Sequence, residues 1–249
     1  MRRCSQLLGL GLVVLIAQPI AAQPVRHATD GPFHPVTSIG LYANRSAPRY
    51  NSVVRSSQYV TVQAGSPDQV DLAVDIYFPA TDGVRFDQLT SPQDLQLPVV
   101  WAHVPYHRAN INEDGSIVPF YTWFQMEWLE ELIHHGYIVA VVDVRGSGAS
   151  FGTHLGVFNE LETRDSYDLN EFFATQPWSS GEIGMFGYSY FAATQLLAAS
   201  MQHPNLRCIV PMFVPFDLYD FGHRGGVPFV TGLEAWSLTT LALDLSYAP

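Results

Sequence analysis

Lysine is missing from this 249-residue chain, and all twelve basic residues are arginines. That excludes a P-loop lysine, a Schiff-base lysine and a Ser-Lys dyad. Charge of either sign is scarce at 14%, and acids outnumber bases 23 to 12 for a net charge of -11. Such a surface argues against nucleic acid or an anionic membrane as a partner. There are two cysteines, Cys4 and Cys208. Internal repeats and low-complexity segments are absent. What is present is apolar, 47% hydrophobic and 13% aromatic. That suffices for a sizeable core and excludes disorder over most of the chain.

Arg2 and Arg3 precede an apolar run from Leu7 to Ala17, and Ala21-Ala22 offer a small-residue cleavage site. The run is too short to span a bilayer and suits the core of a secretory signal. Residues 1–22 are therefore expected to be a signal peptide. The product would be exported, periplasmic or secreted, with no stable membrane span once the signal is removed. Cys4 would leave with the signal, so Cys208, in the run Arg207-Cys208-Ile209-Val210, is expected as a lone, buried thiol with no internal disulfide.

Residues 23–54 read as a loop-rich lead-in of Pro, Gly, Ser, Asn and Arg. Tyr59–Val62 and Leu72–Phe78 read as strands around a turn at Gly65-Ser66-Pro67, and Leu97–Val104 as a third strand. One helix is expected over Tyr121–His135, with Tyr121, Phe124, Trp128 and Leu132 on a stripe and Gly136 as the stop. The apolar run Tyr137–Val144 suits a strand buried on both faces of a parallel sheet. Leu161–Thr175 follows as a helix halted by Gln176-Pro177. Then come a strand over Ile183–Phe186, a helix over Tyr190–Met201 and a strand over Ile209–Val214. Apolar strands alternating with helices predict an α/β fold, an open and mostly parallel sheet with flanking helices. Glu160, Glu162, Asp165 and Asp168 read as a solvated face or the negative first turn of a helix.

Gly187-Tyr188-Ser189-Tyr190 sits between a strand and an Ala-rich helix. A serine on so tight a strand-to-helix turn projects its hydroxyl at the sheet edge, and the next backbone N–H can face an oxyanion. The same triplet also fits a serine that merely caps the helix. The generic elbow is G-x-S-x-G, whereas Phe191 occupies the last position here.

The surrounding residues decide between these readings. The stretch Gln176-Pro177-Trp178-Ser179-Ser180-Gly181-Glu182-Ile183-Gly184-Met185-Phe186-Gly187-Tyr188-Ser189-Tyr190 resembles the cocaine-esterase and X-prolyl dipeptidyl-peptidase-like (CocE/NonD) family of α/β-hydrolases. Its members carry G-x-S-Y-x-G, so Phe191 follows the family's habit, and Ala192 stands for the last glycine. Asp143-Val144-Arg145-Gly146-Ser147-Gly148, with Ser150 and Gly152, resembles the family's D-x-R-G-x-G-x-S-x-G loop. Pro105-Tyr106 resembles its oxyanion Pro-Tyr. The resemblance runs from about Tyr59 to Pro215. It implies an α/β-hydrolase fold, Ser189 as nucleophile, the Tyr190 N–H and the Tyr106 hydroxyl as oxyanion donors, no cofactor or metal, and a small-molecule ester or peptide substrate. Asp143 and Arg145 are expected to stabilise their loop.

A serine hydrolase also needs a general base and an acid to orient it. After Ser189 the sequence offers only His203, at the end of the elbow's own helix, and His223, too close behind Asp217 and Asp220. The resemblance implies that the acid and histidine lie beyond a helical cap. Residues 55–214 are accordingly expected to be the N-terminal part of the hydrolase domain and 215–249 the start of the cap, truncated before the late strands. Two readings follow: an exported serine hydrolase seen in part, or a non-catalytic remnant or binding module that keeps the elbow. Gly146-Ser147-Gly148-Ala149-Ser150-Phe151 fails the dinucleotide fingerprint at its last position. His134 and His135 diverge around a helix and make a poor metal pair.

Overall fold

A computed structural model describes residues 46–91, 94–214 and 217–245. The expected signal peptide and most of the expected lead-in lie outside the described residues. A seven-stranded sheet runs in the order β1-β2-β7-β4-β8-β9, with the short β3 paired to β2. Its strands are β1 (Ser52–Val62), β2 (Val70–Thr81), β3 (Val84–Arg85), β4 (Leu97–Val104), β7 (Ile138–Asp143), β8 (Ser179–Tyr188) and β9 (Leu206–Met212). A separate ribbon pairs β5 (Ala109–Ile111) with β6 (Ile117–Pro119). β1, β2 and β7 pair antiparallel, whereas β7-β4-β8-β9 are parallel, which is the mostly parallel α/β sheet expected.

Each crossover carries helix: α1 (Phe120–Trp123) and α2 (Trp128–His134) before β7, α3 (Glu160–Thr175) before β8, and α4 (Tyr190–Ser200) before β9. β4 to β7 steps one way across the sheet and β7 to β8 the other. Right-handed crossovers therefore place α2 on one face and α3 with α4 on the opposite one. The ring contacts agree: Phe186 of β8 meets Trp128 on α2, and Trp101 of β4 meets Phe173 on α3. All six residues of β7 are buried, as its unbroken apolar run requires. α3 starts at Asn159, whose side chain accepts from the Glu162 N–H, and stops before Pro177. After β9 the chain forms α5 (Leu218–Gly222) and α6 (Val230–Asp244).

Several expectations are corrected. The single helix over Tyr121–His135 is broken into α1 and α2, because Gln125 takes a positive φ of 53° and the Met126 N–H reaches the Tyr121 carbonyl. The break frees Phe124 from any helical stripe and stacks it on Phe120 at 4.6 Å. Glu160 and Glu162 do stand in the first turn of α3, but Glu162 and Asp165 are not on a solvated face. Both are buried, because α3 turns Glu162, Asp165, Ser166, Leu169, Asn170 and Phe173 inward. Cys208 is half-buried rather than fully buried. β1 begins at Ser52, inside the expected lead-in.

Under the strand ends lies a buried ion-pair lattice. Arg108 reaches Asp75 at 3.1 Å and Asp143 at 2.8 Å, and Arg55 adds a second cation to Asp75 at 2.7 Å. Nearby, Arg145 grips both carboxylate oxygens of Asp165 at 2.6 Å. Planar guanidinium suits such bidentate, desolvated pairing better than ammonium does. Replacing Arg108 with methionine keeps much of its bulk but leaves two buried carboxylates short of a partner. The expected loss is about 3–5 kcal/mol, read as a lower urea midpoint, whereas a loss below about 1 kcal/mol would contradict this account of the lattice.

Candidate active site

β4 and β8 are parallel neighbours with Trp101 opposite Met185. Carrying that register forward brings the residues just past both C-terminal ends, Tyr106 and Ser189, to one crevice. It lies where the crossover direction reverses, the place at which open α/β sheets present ligand sites.

Ser189 joins β8 to α4 at φ 56° and ψ -124°, a sparsely populated conformation for a residue with a side chain. Its N–H donates to the carbonyls of Met212 and Phe213 at 3.2 Å, tying the turn to the end of β9. Ser189 occupies the N-cap position, yet its side chain makes no cap hydrogen bond. The helix-capping reading is therefore excluded, and the hydroxyl is left for other partners. Gly187, at φ 139°, explains the missing second glycine of the generic elbow. A Cβ there would overlap the ring of Phe191, so the glycine and the phenylalanine form one packed unit.

The Tyr106 hydroxyl lies beside the Ser189 side chain. Burial raises the phenol above its ordinary pKa, partly offset by the hydrogen bond from Trp236 and by the neighbouring Ser189. The ring is boxed by Phe124 at 5.6 Å, Tyr190 at 6.2 Å and Phe191 at 6.3 Å. Its loop is clamped from below. The Arg108 N–H donates to Asp143 at 2.6 Å, and the Ser147 hydroxyl to the Pro105 carbonyl at 2.9 Å. Asp143 also accepts from the Ala149 N–H at 3.1 Å, and a Cβ on Gly148 would strike that carboxylate. Asp143 and Arg145 are thus tied into loop-holding ion pairs, the part expected of them.

Tyr190 follows the elbow as the first residue of α4, where no carbonyl one turn back exists to accept its N–H. The helix end also favours negative charge nearby. Its side chain is anchored deep in the domain. The hydroxyl donates to Glu162 at 2.9 Å and lies 3.3 Å from His154 Nε2, and Trp236 stacks on the ring at 6.0 Å. Sequence reasoning missed Glu162, His154 and Trp236. The inward spacing of Glu162 with Asp165, Leu169 and Phe173 was a signal that could have found the first.

The two histidines after Ser189 are engaged elsewhere. His203 is buried, 3.1 Å from Glu171 and against the ring of Tyr167 at 4.6 Å. His223 stacks on Tyr219 at 4.9 Å. Among the described residues, no group of three or more His, Cys, Asp or Glu is arranged to hold a metal ion. No helix there is long and apolar enough to cross a membrane. The arrangement that does exist, a serine hydroxyl free of the capping bond and flanked by a phenol O–H and a helix-terminal N–H, can hold a tetrahedral oxyanion during acyl transfer.

Glu162 is only 1% exposed, and its Oε1 has no hydrogen-bond partner among the described residues. Burial raises its pKa from 4.5 to about 8, despite the bond from Tyr190. The folded state therefore holds a proton that the unfolded state has already released. This penalty grows, and stability falls, as pH rises from about 4.5 to about 8. Glu162→Gln is expected to remove that slope from a series of urea midpoints, and an unchanged slope would show that the carboxyl is ionised in the fold.

Known proteins resemble this chain in sequence and in fold. A Mycobacterium bovis protein named for an inferred serine esterase activity is 31% identical over 222 residues, 80% of this chain and 31% of the relative. Cocaine esterase of Rhodococcus is 31% identical over 174 residues, 68% of this chain and 26% of that protein. The chain thus spans a third or less of the curated relatives it matches. A CocE/NonD family hydrolase from Staphylococcus aureus shares the fold, with a TM-score of 0.57 at 24% identity over 77% of this chain and 33% of its own. The family model for X-Pro dipeptidyl-peptidases (S15 family) matches residues 68–249. With well over half of its length in that match and a serine elbow at its sheet edge, the chain belongs to the S15 family of CocE/NonD-type α/β-hydrolases.

Proposed function

We propose that this chain carries the nucleophile and oxyanion site of an exported serine hydrolase that cleaves acyl esters or X-Pro dipeptides through an acyl-serine intermediate. The observation that supports it most is Ser189 on a positive-φ elbow with the Tyr106 hydroxyl set beside its side chain. Ser189 Oγ attacks the substrate carbonyl carbon while a general base takes its proton. The Tyr190 N–H and the Tyr106 O–H receive the oxyanion. Collapse of the tetrahedral species expels the alcohol or amine, which regains the proton, and water then hydrolyses the acyl-serine by the same route. His203 and His223 are tied elsewhere, so we assign the base and its acid to residues outside those described. The cap is assigned to residues 215–249. Export rests on the basic, apolar and small-residue succession of residues 1–22, and places the mature protein in the periplasm or outside the cell.

In the native protein, a fluorophosphonate probe is expected to label Ser189. Ser189→Ala should abolish both the label and ester turnover. Tyr106→Phe should lower kcat by about 10²–10³-fold, the usual cost of one oxyanion donor. Turnover retained in Ser189→Ala would remove this serine from the mechanism. Absence of label and turnover in the unaltered protein would favour the non-catalytic remnant or binding module instead. Hydrolysis of a p-nitrophenyl ester against an X-Pro p-nitroanilide separates the two substrate classes. Export is checked by the N-terminus of the mature protein, expected at Gln23 in an extracytoplasmic fraction, whereas an intact Met1 in the cytoplasm would contradict it.

A further inference from the structure

Trp236 of α6 comes from 130 residues away in sequence to donate its indole Nε1–H to the Tyr106 hydroxyl at 3.0 Å. The same indole lies nearly parallel to the Tyr190 ring, 6.0 Å away with an 11° interplanar angle. One side chain thus touches both residues that flank Ser189. α6 is otherwise an exposed helix, with Leu238 and Leu241 facing solvent, and Trp236 is among its few shielded residues. The direction of the hydrogen bond is chemically fixed. An indole N–H only donates, so the phenol oxygen must accept, and the phenol's own proton stays available.

We propose that Trp236 is a positioning residue for acyl transfer: its N–H occupies a lone pair of the Tyr106 oxygen and so aims the phenolic proton at Ser189 and the oxyanion that forms there. This rests on the serine-hydrolase reading above. The accepted bond also polarises the phenol. Hydrogen bonds in series strengthen one another by roughly 10–30%. Applied to a donor worth about 10²–10³-fold, that is about a two- to eightfold gain in rate. The indole N–H donates to Tyr106, so the effect of that N–H passes through Tyr106.

The test is a double-mutant cycle in the native protein, using a p-nitrophenyl ester with the acylation burst recorded. Trp236→Phe keeps a ring against Tyr190 but deletes the N–H. It is expected to slow acylation about two- to eightfold with KM within about twofold. In a Tyr106→Phe background the same substitution should have no effect on acylation. Incorporating benzothienylalanine at 236 replaces only the N–H by sulfur and should reproduce the loss even if Trp236→Phe folds poorly. Unchanged acylation in the sulfur isostere would overturn the proposal, as would an equal loss with and without the Tyr106 hydroxyl. Both results leave the serine-hydrolase reading intact provided Ser189→Ala is inactive. An active Ser189→Ala would instead bring down the reading and the proposal together.

Discussion

A serine at φ 56° and ψ -124° is in a conformation that costs of order 1–3 kcal/mol, and most of what surrounds Ser189 serves to hold it there. The carbonyls of Met212, the last residue of β9, and of Phe213 take its N–H, and the Phe191 ring closes over Gly187, where no Cβ would fit. The strain has a chemical consequence. It turns the hydroxyl away from the capping role a serine would otherwise take and towards Tyr106. The helix keeps its first N–H groups unclaimed by the side chain that precedes them.

The partner across the crevice is fixed with comparable firmness but by different means. Tyr106 rides on a loop in which Arg108, two residues on, is pulled into the buried Asp143 and Asp75 carboxylates. A chain that uses arginine for every cation has the donor geometry for this lattice throughout. Beneath Tyr190 the solution is the opposite. Glu162 forms no ion pair among the described residues, is held near neutrality by burial and accepts a hydrogen bond from the Tyr190 hydroxyl. The same domain therefore anchors one oxyanion candidate through charge and the other through a protonated acid.

Much of this was legible in the sequence. β4 falls on the predicted Leu97–Val104, and the buried run after Tyr137 is a fully buried strand paired parallel to β4. The elbow and the Pro-Tyr loop could be named because their chemistry is local to a few residues. What was not legible depends on tertiary contact. The stripe Tyr121, Phe124, Trp128 and Leu132 has true helical spacing, yet aromatic packing around Tyr106 claims Phe124 and breaks the helix at Gln125. Acids near a helix start are usually solvated, and only the inward spacing of Glu162 and Asp165 marked them otherwise. Trp236 carried no local mark at all, since its meaning comes from a hydroxyl 130 residues away.

The central claim is that Ser189, Tyr106 and the Tyr190 N–H form one oxyanion-binding unit. A crystal structure of the native protein with Ser189 phosphonylated tests it directly. The account predicts one phosphonyl oxygen within about 2.7–3.1 Å of both the Tyr106 hydroxyl and the Tyr190 nitrogen. An adduct whose oxygen faces other donors, with the Tyr106 hydroxyl turned away, would contradict it.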